Sequence, residues 1–176
     1  TNDVSANNLR NLVVLGKKAE ACIIETYFGC SGNEYFTNTI TEINLKEEAS
    51  LTHYKLQQEG AKAYHVGYTH THQSDRSIFK SHQISLGGKF ARSDLDVNLD
   101  GNRSECILNG FFMANDNQYV DHHVEVNHSS PNTQSSETFR GVLGDHARGV
   151  FNGKIIVHKD AQKSDARLSN ANLLLS

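Results

Sequence analysis

Short β-strands gathered into one all-β unit are what this sequence predicts, and three observations carry the prediction. Apolar and polar residues alternate with a period of two in several segments. Candidate strands recur about every 10–15 residues, a spacing found in sandwiches, barrels and solenoids. No segment places apolar residues convincingly at i, i+3, i+4 and i+7, so helix is a minor component.

Taken along the chain, Tyr64, Val66 and Tyr68 alternate with His65, Gly67 and Thr69. Ile84 and Leu86 alternate with Gln83 and Ser85, and Leu95, Val97 and Leu99 with Asp94, Asp96, Asn98 and Asp100. Val120, Val124 and Val126 share a face opposite Asp121, His123, Glu125 and Asn127. Each such strand is expected to bury one face, a ladder of Val, Ile and Leu, and to wet the other. Only two dipeptides favour hairpins, Asp100-Gly101 and Asn152-Gly153, which is few for about a dozen strands. The corners Ser31-Gly32-Asn33, Gly87-Gly88-Lys89, Asn115-Asp116-Asn117 and Lys159-Asp160-Ala161 suit bends between solenoid coils. No exact internal repeat is visible, and the pattern alone leaves a right-handed β-helix and a sandwich both open.

With 176 residues the chain is long enough for one domain with a real core and too short for an obvious second. A net charge of -3 and a pI near 6.3 give no basic footprint for nucleic acid and no polybasic patch for a membrane. The longest apolar runs, Leu12–Leu15 and Leu173–Leu175, cannot span a bilayer. Nothing at the N-terminus reads as a signal peptide, and a start at Thr1 leads us to expect that a native start was removed. Cys22, Cys30 and Cys106 lack CxxC spacing, and so odd and low a count fits a reducing compartment such as the cytoplasm. That outweighs the two sequons at Asn102 and Asn127.

Candidate chemistry is sparse. Asp96-Val-Asn98-Leu-Asp100-Gly101 matches the first six positions of a calcium loop, but position twelve is Ile107 where a bidentate Glu is needed. These acids read as the solvated face of a strand. Tyr68-Thr-His70-Thr-His72 puts two imidazoles on one strand face, a pair that chelates zinc only if a neighbouring strand supplies a third ligand. His53, His65, His82, His122, His123 and His128 are the possible donors, none singled out by the sequence, so the pair reads as polar strand residues with no metal assigned. Cys106 lies within a strand with only Arg103 as a local cation, and reads first as a small buried residue. No nucleophile elbow, zinc-protease motif or dinucleotide fingerprint appears, and Gly16-Lys17 lacks the upstream glycine of a phosphate loop.

The last third carries a more specific series. Asp121-His-His-Val-Glu-Val-Asn-His128-Ser-Ser-Pro-Asn-Thr-Gln-Ser135 is followed by Phe139-Arg-Gly-Val-Leu143 and Ala147-Arg-Gly-Val-Phe-Asn-Gly-Lys-Ile155. Ala161-Gln-Lys-Ser-Asp-Ala166 and Asn170-Ala-Asn-Leu-Leu-Leu-Ser176 complete it. This ordered series resembles the SufB/SufD family of the SUF iron–sulfur cluster assembly machinery, and its leucine-rich ending is similar to the SufD branch.

The resemblance implies a right-handed parallel β-helix, which overrules a hairpin at Asn152-Gly153. It implies that residues 1–176 are a single β-helix core domain, cut short at the C-terminus, without the family's N-terminal and C-terminal helical regions. It implies a non-catalytic scaffold subunit of a SufBCD complex, meeting SufB across a β-helix edge and the ATPase SufC through a C-terminal region not contained here. The cluster would belong to the complex, with no cofactor held by this stretch alone. Cys106 is the one position to which the resemblance lends a cluster or sulfur role. An open end would let two copies of this stretch associate. The competing readings are a β-helix carbohydrate-active enzyme using Asp94, Asp96 and Asp100, and a zinc hydrolase built on His70 and His72.

Overall fold

The computed structural model describes residues 5–29 and 32–175. Twelve strands follow one another: β1 (Ser5–Leu15), β2 (Glu20–Phe28), β3 (Tyr35–Leu45), β4 (Ser50–Gln58), β5 (Tyr64–Gln73) and β6 (Ile78–Ser85), then β7 (Phe90–Leu99), β8 (Glu105–Ala114), β9 (Tyr119–His128), β10 (Gln134–Leu143), β11 (Arg148–Val157) and β12 (Asp165–Leu174). Odd strands form one six-stranded sheet in the order β1-β3-β5-β7-β9-β11, and even strands form a second in the order β12-β10-β8-β6-β4-β2. Among the described residues every pairing is parallel. The chain runs along one sheet, crosses to the other and returns one rung further on, making a β-solenoid of six coils. A sandwich is thereby excluded. Asn152-Gly153 lies inside β11, and Asp100-Gly101 opens a crossing between sheets, so neither dipeptide makes a hairpin.

The coil length drifts. Tyr64 pairs with Phe90, 26 residues on, whereas Gln134 pairs with Asp165, 31 residues on. That drift hides the repeat from a fixed-period search. The repeat survives at the crossing from the odd to the even sheet, where Lys18, Glu48, Arg76, Arg103, Asn132 and Lys163 all have φ between 52° and 63°. The next residue is always small: Ala19, Ala49, Ser77, Ser104, Thr133 and Ser164. Its backbone or side chain bonds back three residues, as in Ala49 N to Lys46 O at 3.0 Å and Ser164 Oγ to Ala161 O at 3.0 Å. A turn with positive φ at its third position directs the chain across, and a small fourth residue fits the buried corner. On the surface of this corner Lys17, Glu47, Arg76, Glu48 and Lys18 form a ladder of ion pairs.

The space between the sheets has two unlike sides. Along that crossing, Leu45, Leu95, Val97, Leu99, Val124 and Val126 of the odd sheet pack on Leu51, Phe79, Cys106, Leu108 and Phe139 of the even sheet. Each fully buried Leu or Phe there contributes about 1.5–3 kcal/mol. Along the opposite side the early coils are polar inside. The alternation in β5 and β6 is accordingly inverted from the simple expectation: His65, Thr69, Gln83 and Ser85 are buried, while Tyr64, Tyr68 and Ile84 face outward. The cause is twofold, since His65, Gln83 and Ser85 each find a hydrogen-bonding partner inside and the outward rings stack. Phe90 and Tyr119, for example, lie 5.5 Å apart on the outer face.

Candidate functional site

The polar side of the interior is assembled from residues about one coil apart. Glu25 on β2 is in register with Lys55 on β4, which is in register with Gln83 on β6. Thr37 on β3 is in register with His65 on β5. Glu59, just beyond β4, accepts from the Thr37 hydroxyl at 2.6 Å, from His65 Nδ1 at 2.8 Å and from Gln57 Nε2 at 3.1 Å. Glu25 accepts from Thr41 Oγ1 at 3.0 Å and lies 3.4 Å from His53 Nε2. Ser93 donates to Gln83 at 2.9 Å, and Ser85 bonds His122 at 3.1 Å. Gly67 has a spatial role here: a Cβ at this position would stand 2.2 Å from Lys55 Nζ, so its absence makes room for the ammonium.

Each charge in this chamber reflects burial opposed by partners. Burial pushes Glu25 up, but His53, Lys55 and Thr41 together outweigh it and bring the carboxyl down to about 2. Burial likewise opposes ionisation of Glu59, yet the bonds from His65, Thr37 and Gln57 carry it below its ordinary value. Burial lowers Lys55, with Glu25 and Glu59 acting the other way. Burial also lowers His65 and brings His122 down to about 4, so His122 is a neutral ring at pH 7. A small cavity of about 10 Å³, the room of a single water, lies among Lys55, Gln57, His65, Gln83, Ser85 and Ser93. His65 Nε2 at its wall, and Thr69 Oγ1, Thr71 Oγ1 and Ser81 Oγ elsewhere in the interior, meet no hydrogen-bonding protein atom among the described residues. Interior polar atoms in such number are unusual, and a wet or ion-lined interior is the arrangement they fit.

A second group lies in the later coils. His128 is buried and bridges Thr133 at 2.7 Å and Ser135 at 3.0 Å, while Thr133 reaches Ser164 on the next coil at 2.8 Å. His128, Thr133 and Ser135, which lie within the Asp121–Ser135 series, thus form a corner latch. Cys106 is fully buried in the apolar strip, and burial, with Glu137 and Glu105 nearby, raises its thiol well above the ordinary value. At neutral pH it is a thiol, the unreactive form. Glu137 faces inward with no hydrogen-bond partner for either oxygen among the described residues, and burial pushes it up to about 7.

The other candidates lie elsewhere. Cys22 is on β2, at the outer end of the described coils, and Cys30 lies outside the described residues. His70 and His72 share the outer face of β5, whereas His53, His65, His122 and His128 point inward and cannot complete a site with them. Among the described residues no group of three or more His, Cys, Asp or Glu side chains is placed to hold a metal. Asp94 and Asp96 are on the outer face of β7, with Asp94 bonded to Arg92, Asp96 to Tyr68 and Asp100 to His72. The buried Glu25–Lys55–Glu59–His65 group escaped the sequence reading because its partners meet only through the coil register.

No helix among the described residues is long and apolar enough to cross a membrane. Residues 1–176 match the family model described as SUF system FeS cluster assembly, SufBD core domain. An iron–sulfur cluster assembly SufBD family protein of Synechocystis is 27% identical over 175 residues, covering 95% of this chain and 39% of that protein. The iron–sulfur cluster assembly protein SufD of Escherichia coli is 28% identical over 173 residues, 98% of this chain and 41% of that protein. The chloroplastic protein ABCI7 of Arabidopsis thaliana is 28% identical over 172 residues, 96% and 36% respectively. The chain spans about two-fifths of the length of these relatives.

Proposed function

As a chain that belongs to the SufBD core family of the SUF iron–sulfur cluster assembly system, it is, we propose, the β-solenoid core of a SufD-type scaffold subunit that supports cluster assembly without catalysing a reaction itself. The family match along all of residues 1–176 carries this reading. The interior is consistent with it. Among the described residues the fully buried cysteine, Cys106, is held as a thiol in an apolar strip, a poor position for accepting sulfur. The acids of the carbohydrate-enzyme reading are engaged by Arg92, Tyr68 and His72, and nothing in their arrangement favours it.

The partners in this reading are a SufB-type subunit and a SufC-type ATPase. A stacked solenoid can receive a partner strand at the edge of a sheet, and exposed Leu168, Leu173 and Leu174 lie on β12, the outermost strand of the even sheet among the described residues. A second solenoid, or another copy of this one, would extend the sheet there and cover those leucines. The compartment is a reducing one, cytoplasm or plastid, in line with the chloroplastic relative.

The test is size-exclusion chromatography with light scattering on this chain and its full-length parent, mixed with SufB and SufC from the same source. Co-elution of the parent with both supports the scaffold reading. If the parent binds neither, the reading fails.

A further inference from the structure

The outer face of β5 holds a pair of imidazoles whose arrangement the scaffold role does not use. His70 Nε2 and His72 Nε2 face each other at 3.0 Å, with the rings at 82°. Their other nitrogens are both occupied. Asp100 Oδ2 accepts from His72 Nδ1 at 2.9 Å. The Tyr68 hydroxyl donates to Asp96 at 2.7 Å, which leaves its oxygen to accept from His70 Nδ1 at 3.3 Å. These bonds put the proton of each neutral ring on Nδ1, so both Nε2 atoms carry lone pairs. The Asn98 amide, aimed at His70 Nε2 from 3.4 Å, agrees with that tautomer.

Two acceptor nitrogens 3.0 Å apart repel unless a cation lies between them. A proton supplies one solution and a metal ion another. With metal–nitrogen bonds of about 2.0–2.1 Å, cis ligands at a right angle stand roughly 2.9 Å apart, whereas tetrahedral ligands need about 3.4 Å. The observed spacing matches the first geometry, which Cu(II) and Ni(II) prefer. A carboxylate behind one ligating histidine and a carboxylate-bound phenol behind the other form the outer shell that orients metal ligands. The site is open, with the His72 side chain 52% exposed. Asn98, in register with His72 on β7, stands beside it.

We propose that His70 and His72 form a surface binding site for one divalent first-row transition ion of the Cu(II)/Ni(II) class. Asp100 and the Tyr68–Asp96 pair are positioning residues, and water fills the remaining coordination positions. The site holds its ion exchangeably, because only two protein nitrogens grip it.

The probe is Ni(II), titrated calorimetrically into untagged, chelator-treated protein, with Cu(II) paramagnetic resonance as a second readout. One Ni(II) per chain is expected, with the site lost in both His70→Ala and His72→Ala. Asp100→Asn should weaken it about tenfold to a hundredfold, while His82→Ala on the other sheet should leave it unchanged. The Cu(II) spectrum should show coupling to two equivalent nitrogens. Because all these side chains are on the outer face, circular dichroism should show every variant folded, and His70→Gln provides a second test at that position. Binding of equal stoichiometry and affinity in both alanine variants would overturn the proposal. So would a wild-type titration indistinguishable from that of a variant carrying both His70→Ala and His72→Ala.

Discussion

The Phe139 ring occupies the space directly over Gly110 on the neighbouring coil, where an added Cβ would stand 2.1 Å from the ring carbon Cδ1. The pairing recurs in reverse one step along, where Phe112 lies over Gly141 and a Cβ would stand 2.3 Å from its ring. Both pairs are in register between β8 and β10. These large rings close the interior in the later coils only because glycines sit opposite them. Gly110→Ala should therefore cost about 1–3 kcal/mol through overpacking. Adding Phe139→Leu should recover part of the loss. Urea denaturation of the single and double variants reads both, and a Gly110→Ala midpoint equal to wild type would refute the account.

Glu137 gives a stability that depends on pH in a stated direction. Its carboxyl is pushed up to about 7 by burial, against an ordinary 4.5. Below pH 4.5 it is protonated in both folded and unfolded chains and costs nothing. As pH rises from 4.5 through 7 the unfolded chain releases the proton first, and folding stability falls by on the order of 3 kcal/mol. Glu137→Gln should remove that fall. The variant should match wild type near pH 4 and exceed it progressively up to pH 8, and parallel pH profiles would count against the assignment.

Glu25 and Glu59 act on Lys55 through their charge, opposing the effect of burial, without a direct ion pair among the described residues. Replacing it by Met keeps the bulk and leaves two carboxylates in the chamber without that charge, a loss of about 0.5–3 kcal/mol. The triple change Lys55→Met, Glu25→Gln, Glu59→Gln should be milder than the single one, because no charge is then stranded. Thermal unfolding at pH 7 separates the two outcomes.

Arg103 sits at φ 58°, in the left-handed region, and makes no ion pair among the described residues. A non-glycine residue there costs about 1–2 kcal/mol. Against the greater freedom of an unfolded glycine, Arg103→Gly should still gain about 1 kcal/mol, raising Tm by about 2–4 °C. A calorimetric scan showing a lower Tm would mean that the side chain contributes something the backbone argument omits.

How far the sequence disclosed this molecule depended on where each interaction closes. Alternation in β7 and β9 read correctly, because Leu95, Val97, Val124 and Val126 face the apolar side of the interior. In β5 and β6 the same reading inverts, since the polar residues there meet partners from other coils. The coils left no fixed period, and their surviving signature is a small residue after a left-handed one, which only the backbone reveals. His70 and His72 were visible as a pair; their neighbour across the sheet is Asn98, a residue that a search for a third histidine passes over. The Lys55 chamber was invisible for a plainer reason. Glu25 and Lys55 are 30 residues apart, and no local rule pairs them.

The strand order of the two sheets also fixes how damage travels. Each rung pairs only with the rung before it and the rung after it, so the molecule behaves as a linear chain of contacts rather than as a ball around one centre. A pull on either terminus would peel coils off singly, in order, from the end inward. The middle coils, with a neighbour on each side, would be the last to exchange their amide hydrogens. A lesion in β2 would thus reach β12 only by passing through every coil between them, which makes the opposite end of the molecule an internal reference for any change made at the first.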